Sequence, residues 1–165
     1  MTTKTAVVID LDNFIPEKLV SLVDLIRSIG GDTVDTYAVG IMPVSLNFTN
    51  CKQSYTNNKG KVHALRCALP GIRFVPVDPT PEAADITIAK LLGRVVVAGN
   101  YDQCLVASND ASVANAATVL NQIIPTWVVV ADSIAVGHIP AFRRQNAVPF
   151  IRLKDASGGA VFQMN

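Results

Sequence analysis

Six short runs rich in apolar and β-branched residues punctuate this chain, most of them separated by stretches whose apolar positions recur at helical spacing. Residues 5–11 (TAVVIDL) form a nearly continuous apolar run, as expected of a central parallel strand covered on both faces. Further strands are predicted over 33–39, 72–77, 104–108, 127–131 and 149–153. Leu19, Leu22, Val23, Ile26 and Ile29 predict a helix over 16–29, with Pro16 suited to a first turn and Gly30-Gly31 as its stop. Helices are also predicted over 81–97, ahead of Gly99, and over 111–124, ahead of Pro125. Strands alternating with helices imply right-handed crossovers. The expected fold is α/β, a three-layer α/β/α sandwich around a central, mainly parallel sheet.

A chain of 165 residues suits one domain over 1–165, and no repeat or Pro-, Gly- or Ser-rich linker divides it. Residues 155–165 read as a flexible tail or an added edge strand. Half of the residues are hydrophobic and 16% are charged, which argues against disorder and for a sheet buried on both faces. The net charge of +1 leaves no global electrostatic footprint, so a nucleic-acid partner has to be argued locally. Cys51, Cys67 and Cys104 are odd in number and irregularly spaced, giving neither a disulfide framework nor a zinc signature. They are expected to be reduced thiols of a cytoplasmic protein. No basic stretch followed by an apolar run opens the chain, and nothing approaches the roughly 18 apolar residues of a membrane span. No membrane partner is expected; a homo-oligomer is left open.

In an open parallel sheet, ligands bind outside the carboxyl ends of the strands, near the point where strand order reverses. Asp10, Asp12 and Asn13 end the first predicted strand, Ser108 and Asp110 the fourth, and Asp132 the fifth. Asp85 lies in the first turns of the 81–97 helix, with Glu82 one turn before it as a first-turn residue. Carboxylates converging on one sheet edge repel each other unless a cation neutralises them. An all-oxygen set suits Mg²⁺ or Mn²⁺ better than zinc, and such ions support phosphodiester hydrolysis. Each acid also has a local explanation: Asp110 as a helix cap, and Asp85 as a first-turn acid favoured by the helix dipole.

Three segments together resemble the NYN branch of the PIN-like nucleases across nearly the whole chain. V-V-I-D-L-D-N-F, residues 7–14, is similar to the NYN opening strand, which ends on an Asp followed shortly by Asn. P-E-A-A-D-I-T-I-A, residues 81–89, resembles the segment in which an Asp opens a helix after the third strand. L-V-A-S-N-D-A-S, residues 105–112, resembles the strand-ending Ser-x-Asp-x-Asp motif. The resemblance implies a Rossmann-like PIN fold and a Mg²⁺- or Mn²⁺-dependent endoribonuclease. Asp10, Asp85 and Asp110 would then be metal ligands and catalytic residues, with Asp12, Asn13, Ser108 and Ser112 supporting them. The chain departs from the pattern at Ser112, where the motif has its second Asp, and at Gln145-Asn146-Ala147, which lacks an acid sometimes found there.

Charge distribution adds an independent expectation. From residue 36 to 77 there is no Asp or Glu, yet Lys52, Lys59, Lys61, Arg66 and Arg73 all occur. Residues 45–58 are dense in Ser, Thr, Asn and Gln and include Phe48 and Tyr55, as in a basic loop that follows a phosphate backbone and stacks unpaired bases. Single-stranded RNA is the expected partner, with Lys52, Tyr55, Lys59, Lys61, Arg66 and Arg73 as its contacts and Arg143-Arg144 as an extension or a helix cap. His63 and His138 are isolated and are not expected to be catalytic. Two other readings stand. A catalytically silent module would bind RNA or a protein with the same surface, in keeping with Ser112. A haloacid-dehalogenase-type phosphatase is suggested by Asp10-Leu11-Asp12 with Ser108, although Asp132 lacks that family's Gly-Asp-x-x-x-Asp setting and Asp85 has no role there. A nucleotide-binding reading is disfavoured because no Gly-rich loop follows the first strand.

Overall fold

The computed structural model describes residues 3–29, 33–42, 52–131, 140–143 and 147–153, without the side chains of 52–57, 141 and 143. Among the described residues six strands form one sheet: β1 (Thr5–Asp10), β2 (Val34–Gly40), β3 (Arg73–Pro76), β4 (Gln103–Ala107), β5 (Thr126–Val130) and β6 (Phe150–Arg152). Their order is β3-β2-β1-β4-β5-β6 and every pairing is parallel. This is the strand order of doubly wound dinucleotide-binding sheets, with direction reversing between β1 and β4.

Four helices among the described residues cover the two faces: α1 (Leu19–Ser28), α2 (Lys52–Ala68), α3 (Ala83–Ala98) and α4 (Ala111–Leu120). The pleat sends alternate strand residues to opposite cores. Val7, Ile9 and Leu11 join Leu22, Ile26, Val62 and Leu65 in the core under α1 and α2. Ala6, Val8, Cys104 and Val106 join Ile88, Leu92, Val113 and Ala117 in the core under α3 and α4. With both faces covered, all six β1 residues are buried, which is why that strand reads as a continuous apolar run rather than an alternating one. Cys104 lies in the second core and burial pushes its thiol up to about 12, so it is inert. Among the described residues no helix is long and apolar enough to cross a membrane.

The predicted strands are present, displaced by a residue or so at their ends, and the three-layer α/β/α expectation holds. The 16–29 helix divides into a 3-10 turn at Pro16–Lys18 and α1 proper, and α4 stops at Leu120, four residues earlier than predicted. One expectation fails. The latter half of the presumed amide-rich loop over 45–58 is helical, because α2 begins at Lys52. Of its described inward positions 58, 61, 62 and 65, two are Asn58 and Lys61, so over 58–65 the apolar stripe that announces a helix is broken. Residues 43–51, Asp132, His138, 144–146 and 155–165 lie outside the described residues.

Candidate functional site

Parallel register carries β1 and β4 side by side, Ile9 against Ala107, so the next residues, Asp10 and Ser108, meet at the carboxyl edge. Both are fully buried. By alternation they follow Val8 and Val106 on the α3–α4 face. Ser108 Oγ donates to Asp10 Oδ2 at 2.7 Å and accepts from the Asp110 backbone N–H at 3.0 Å. Asn13 donates to Asp10 twice, through Nδ2 at 3.0 Å and its backbone N–H at 3.3 Å. Three donors offset much of the cost of burying a carboxylate. Burial nonetheless pushes the Asp10 carboxyl above its ordinary range, the Ser108 and Asn13 bonds pull it down, and the charge of Asp12 pushes it up again.

Asn109 ties the loops around this carboxylate together: its Nδ2 donates to the Asn13 carbonyl at 3.1 Å and its Oδ1 accepts from the Ala131 N–H at 2.9 Å. Asp110 is the N-cap of α4, its Oδ1 accepting from the Ser112 N–H at 2.7 Å. The capping role expected as the alternative for this residue is therefore present, and it leaves Asp110 Oδ2 outside that cap. Asp85 lies in the first turn of α3, which enters through Glu82 at φ 63°, a left-handed conformation unusual for a non-glycine residue. A cleft of about 350 Å³, lined by Pro76, Pro81, Ile86 and Thr87 among others, opens beside that turn.

Ser112 joins the two acids, its Oγ lying 2.6 Å from Asp110 Oδ1 and 2.9 Å from Asp85 Oδ2. A hydroxyl carries one proton, so it donates to only one of them at a time. Burial raises the Asp85 pKa; the Ser112 bond lowers it, and Asp110, Glu82 and Asp12 raise it by repulsion. Asp12 thus repels both Asp10 and Asp85, and Asp110 repels Asp85, near the strand-order reversal.

Among the described residues no three His, Cys, Asp or Glu side chains converge closely enough to form a ready metal cage. Ser112 instead links the Asp85 and Asp110 carboxylates, and Ser108 links the Asp10 carboxylate to the backbone N–H of Asp110. Their chemistry still fits a hard divalent cation: every donor is oxygen, and two of the carboxyls are raised by burial and by like-charged neighbours. Rotation of the exposed Ser112 side chain would release the hydroxyl bridge while the Ser112 backbone N–H still caps Asp110 Oδ1.

The other predicted residues divide. Asp12 accepts through Oδ1 from Asn58 Nδ2 at 2.6 Å and from the Ile41 N–H at 3.3 Å, and Asn58 also donates to the Ile41 carbonyl at 2.9 Å. Lys61, expected on an RNA-facing loop, is buried on α2 and its Nζ donates to the Leu11 carbonyl. Arg73 is exposed, but its guanidinium donates to Tyr37 Oη at 2.9 Å and sits 3.7 Å from Asp35, on the face opposite α2. The presumed single basic surface is therefore divided. Lys59 and Arg66 are exposed on α2, with His63 between them at helical spacing. The side chains of Lys52 and Tyr55 lie outside the described residues. Sequence reasoning missed Asn58 and Asn109; an isolated Asn carries no signal that separates a loop brace from a solvated residue.

The raised carboxyls set a pH dependence. In the unfolded chain Asp10 and Asp85 titrate near about 4. Because their folded values lie higher, the unfolded chain loses its protons first as pH rises, and stability falls as pH climbs through the raised values. Melting in EDTA should therefore show a decline as pH rises above the unfolded value of about 4, with a shallower slope in Asp10→Asn.

No family model matches the chain, and no curated protein matches it. Among solved structures, a protein of unknown function from Vibrio parahaemolyticus is similar, with a TM-score of 0.57 at 14% identity over 93% of this chain and 94% of that one. At that identity the likeness shows the fold alone.

Proposed function

We propose that the chain is a divalent-metal-dependent endoribonuclease of the NYN or PIN-like kind. The observation that carries the reading is the gathering of Asp10, Asp12, Asp85 and Asp110 around the β1–β4 reversal, with Asp10 fully buried and braced by three donors. Asp10, Asp85 and Asp110 would hold the cation, while the Asn13 and Ser108 bonds favour the ionised form of Asp10 and fix its carboxylate in place. When bound, Mg²⁺ or Mn²⁺ polarises a phosphoryl oxygen and makes water more acidic. Lys59 and Arg66, one exposed stripe of α2, would hold the RNA backbone. α2 also brings Asn58 to Asp12, so this stripe begins next to the acids.

Ser112 favours a second reading. It supplies a hydroxyl where the motif has an acid and links Asp85 to Asp110, which suits a site that binds RNA without cutting it. The phosphatase reading gains nothing, since Asp12 is engaged by Asn58 and Ile41 rather than poised as a free acid. The deciding experiment incubates end-labelled single-stranded RNA with the protein in Mn²⁺, Mg²⁺ or EDTA. Cutting that needs the metal supports the nuclease, whereas intact RNA with a gel shift supports the silent module.

Two substitutions extend the test. Lys59→Ala with Arg66→Ala should weaken single-stranded RNA binding about tenfold and reduce the salt slope of log K by roughly 1.4, at about 0.7 for each phosphate that is no longer neutralised. Ser112→Asp sets a third carboxylate against Asp85 and Asp110. It should lower the melting temperature in EDTA and tighten Mn²⁺ binding by about tenfold or more, readable by calorimetry.

A further inference from the structure

We propose that Lys61 is a positioning residue of the carboxylate site, a fixed internal cation that offsets the Asp10–Asp12 pair and holds the turn on which Asp12 and Asn13 sit. The inference rests on the cation-binding reading above and deepens it.

Lys61 lies in the middle of α2 with only 5% of its surface exposed. A lysine that merely covers apolar surface turns its ammonium out to water. This one turns inward and donates to the carbonyl of Leu11, the residue between the two acids. Burial pushes the Lys61 ammonium below its ordinary range, and the charges of Asp12, Asp10 and Glu17, in that order, act against that shift. Asn58, three residues earlier on the same helix, donates to Asp12 at 2.6 Å. One turn of α2 therefore brings the β1 exit both a positive charge and an amide.

The packing leaves little slack. A Cβ at Gly40 would lie 2.8 Å from Leu11 Cβ, 3.1 Å from Asp12 Oδ1 and 3.4 Å from Asn58 Nδ2. A buried ammonium persists only when opposite charge and hydrogen bonds answer it, and here the acids of the site are that charge. Lys61 then balances Asp12 in the absence of metal, leaving Asp10, Asp85 and Asp110 to an incoming ion. It also repels that ion, so its removal should destabilise the metal-free protein and strengthen its response to metal.

The test is thermal unfolding of the full chain in EDTA and in saturating Mn²⁺, with Mn²⁺ affinity by calorimetry, for wild type, Lys61→Met and Lys61→Arg. Lys61→Met should melt lower than wild type in EDTA, recover more in Mn²⁺, and bind Mn²⁺ about three- to tenfold more tightly, as expected for loss of one repelling charge through a screened medium. Lys61→Arg, which keeps the charge, should bind Mn²⁺ as wild type does. Equal Mn²⁺ increments and equal affinities in wild type and Lys61→Met would overturn the inference and leave Lys61 a packing residue. If Lys61→Met does not fold in either condition, the double variant with Asp12→Asn decides. Restored folding identifies an electrostatic pair, and its absence overturns the inference. No Mn²⁺ response in wild type would instead overturn the cation reading, and the role of Lys61 with it.

Discussion

Asp10→Asn should lower metal-dependent RNA cleavage by roughly a thousandfold or more while leaving the fold intact. A divalent ion contributes several kcal/mol to a phosphoryl-transfer transition state, and each ~1.4 kcal/mol is a factor of ten in rate. The loss should be larger at Asp10 than at its partners. Asp10 alone is fully buried at the strand end and fixed by Asn13 and Ser108, so no neighbouring oxygen can swing into its place. By contrast, Ser108→Ala leaves the carboxylate and removes only one donor. It should cost about 10- to 100-fold, as is usual for groups that orient a metal ligand. Single-turnover cleavage rates under saturating Mn²⁺ measure both, and circular dichroism checks the fold.

The second large effect lies one strand away. Gly40→Ala should destabilise the protein by about 1–3 kcal/mol, the usual range for overpacking. It should also reduce metal-dependent activity, although Gly40 carries no side chain that could act in it. The added methyl would lie 2.8 Å from Leu11 Cβ, an atom tied directly to the backbone at the β1 exit, so relief requires that turn to move. Movement there carries Asp12 away from Asn58 and alters the Asn13 bonds that aim Asp10. Urea unfolding gives the stability change. A cleavage loss greater than that of a core truncation of equal cost shows that the turn, rather than global stability, is affected. Gly60, whose Cβ would meet nothing within 4 Å, is the matched control.

The described strands and three of the four described helices were legible because their burial is two-sided or striped. Residues 6–9 of β1 read as apolar throughout since both faces of the sheet are covered, and Leu19, Leu22, Val23 and Ile26 mark α1. Helix α2 was hidden because Asn58 and Lys61 take inward positions that a pattern search expects to be apolar. The same two residues explain the misjudged charge map. A lysine in a segment without acids reads as a solvated contact, and only the tertiary structure shows that its partners lie at the end of β1, about fifty positions earlier. Asp10, Asp85 and Asp110 could be nominated from the rule that parallel sheets place ligands at their carboxyl ends. The Ser112 bridge could not, because it depends on where the first turns of α3 and α4 meet. The separation of Arg73 from α2 was likewise hidden, being set by strand parity at the sheet edge.

The most direct measurement is an anomalous difference map from crystals of the protein soaked in Mn²⁺. A peak within roughly 2.0–2.4 Å of oxygens from Asp10, Asp85 and Asp110, with Ser112 rotated away from at least one of the acids it bridges, is the result expected of a metal-dependent site at the β1–β4 edge. No peak there, with Ser112 still joining Asp85 to Asp110, would contradict it and leave a carboxylate cluster held together by hydrogen bonds alone.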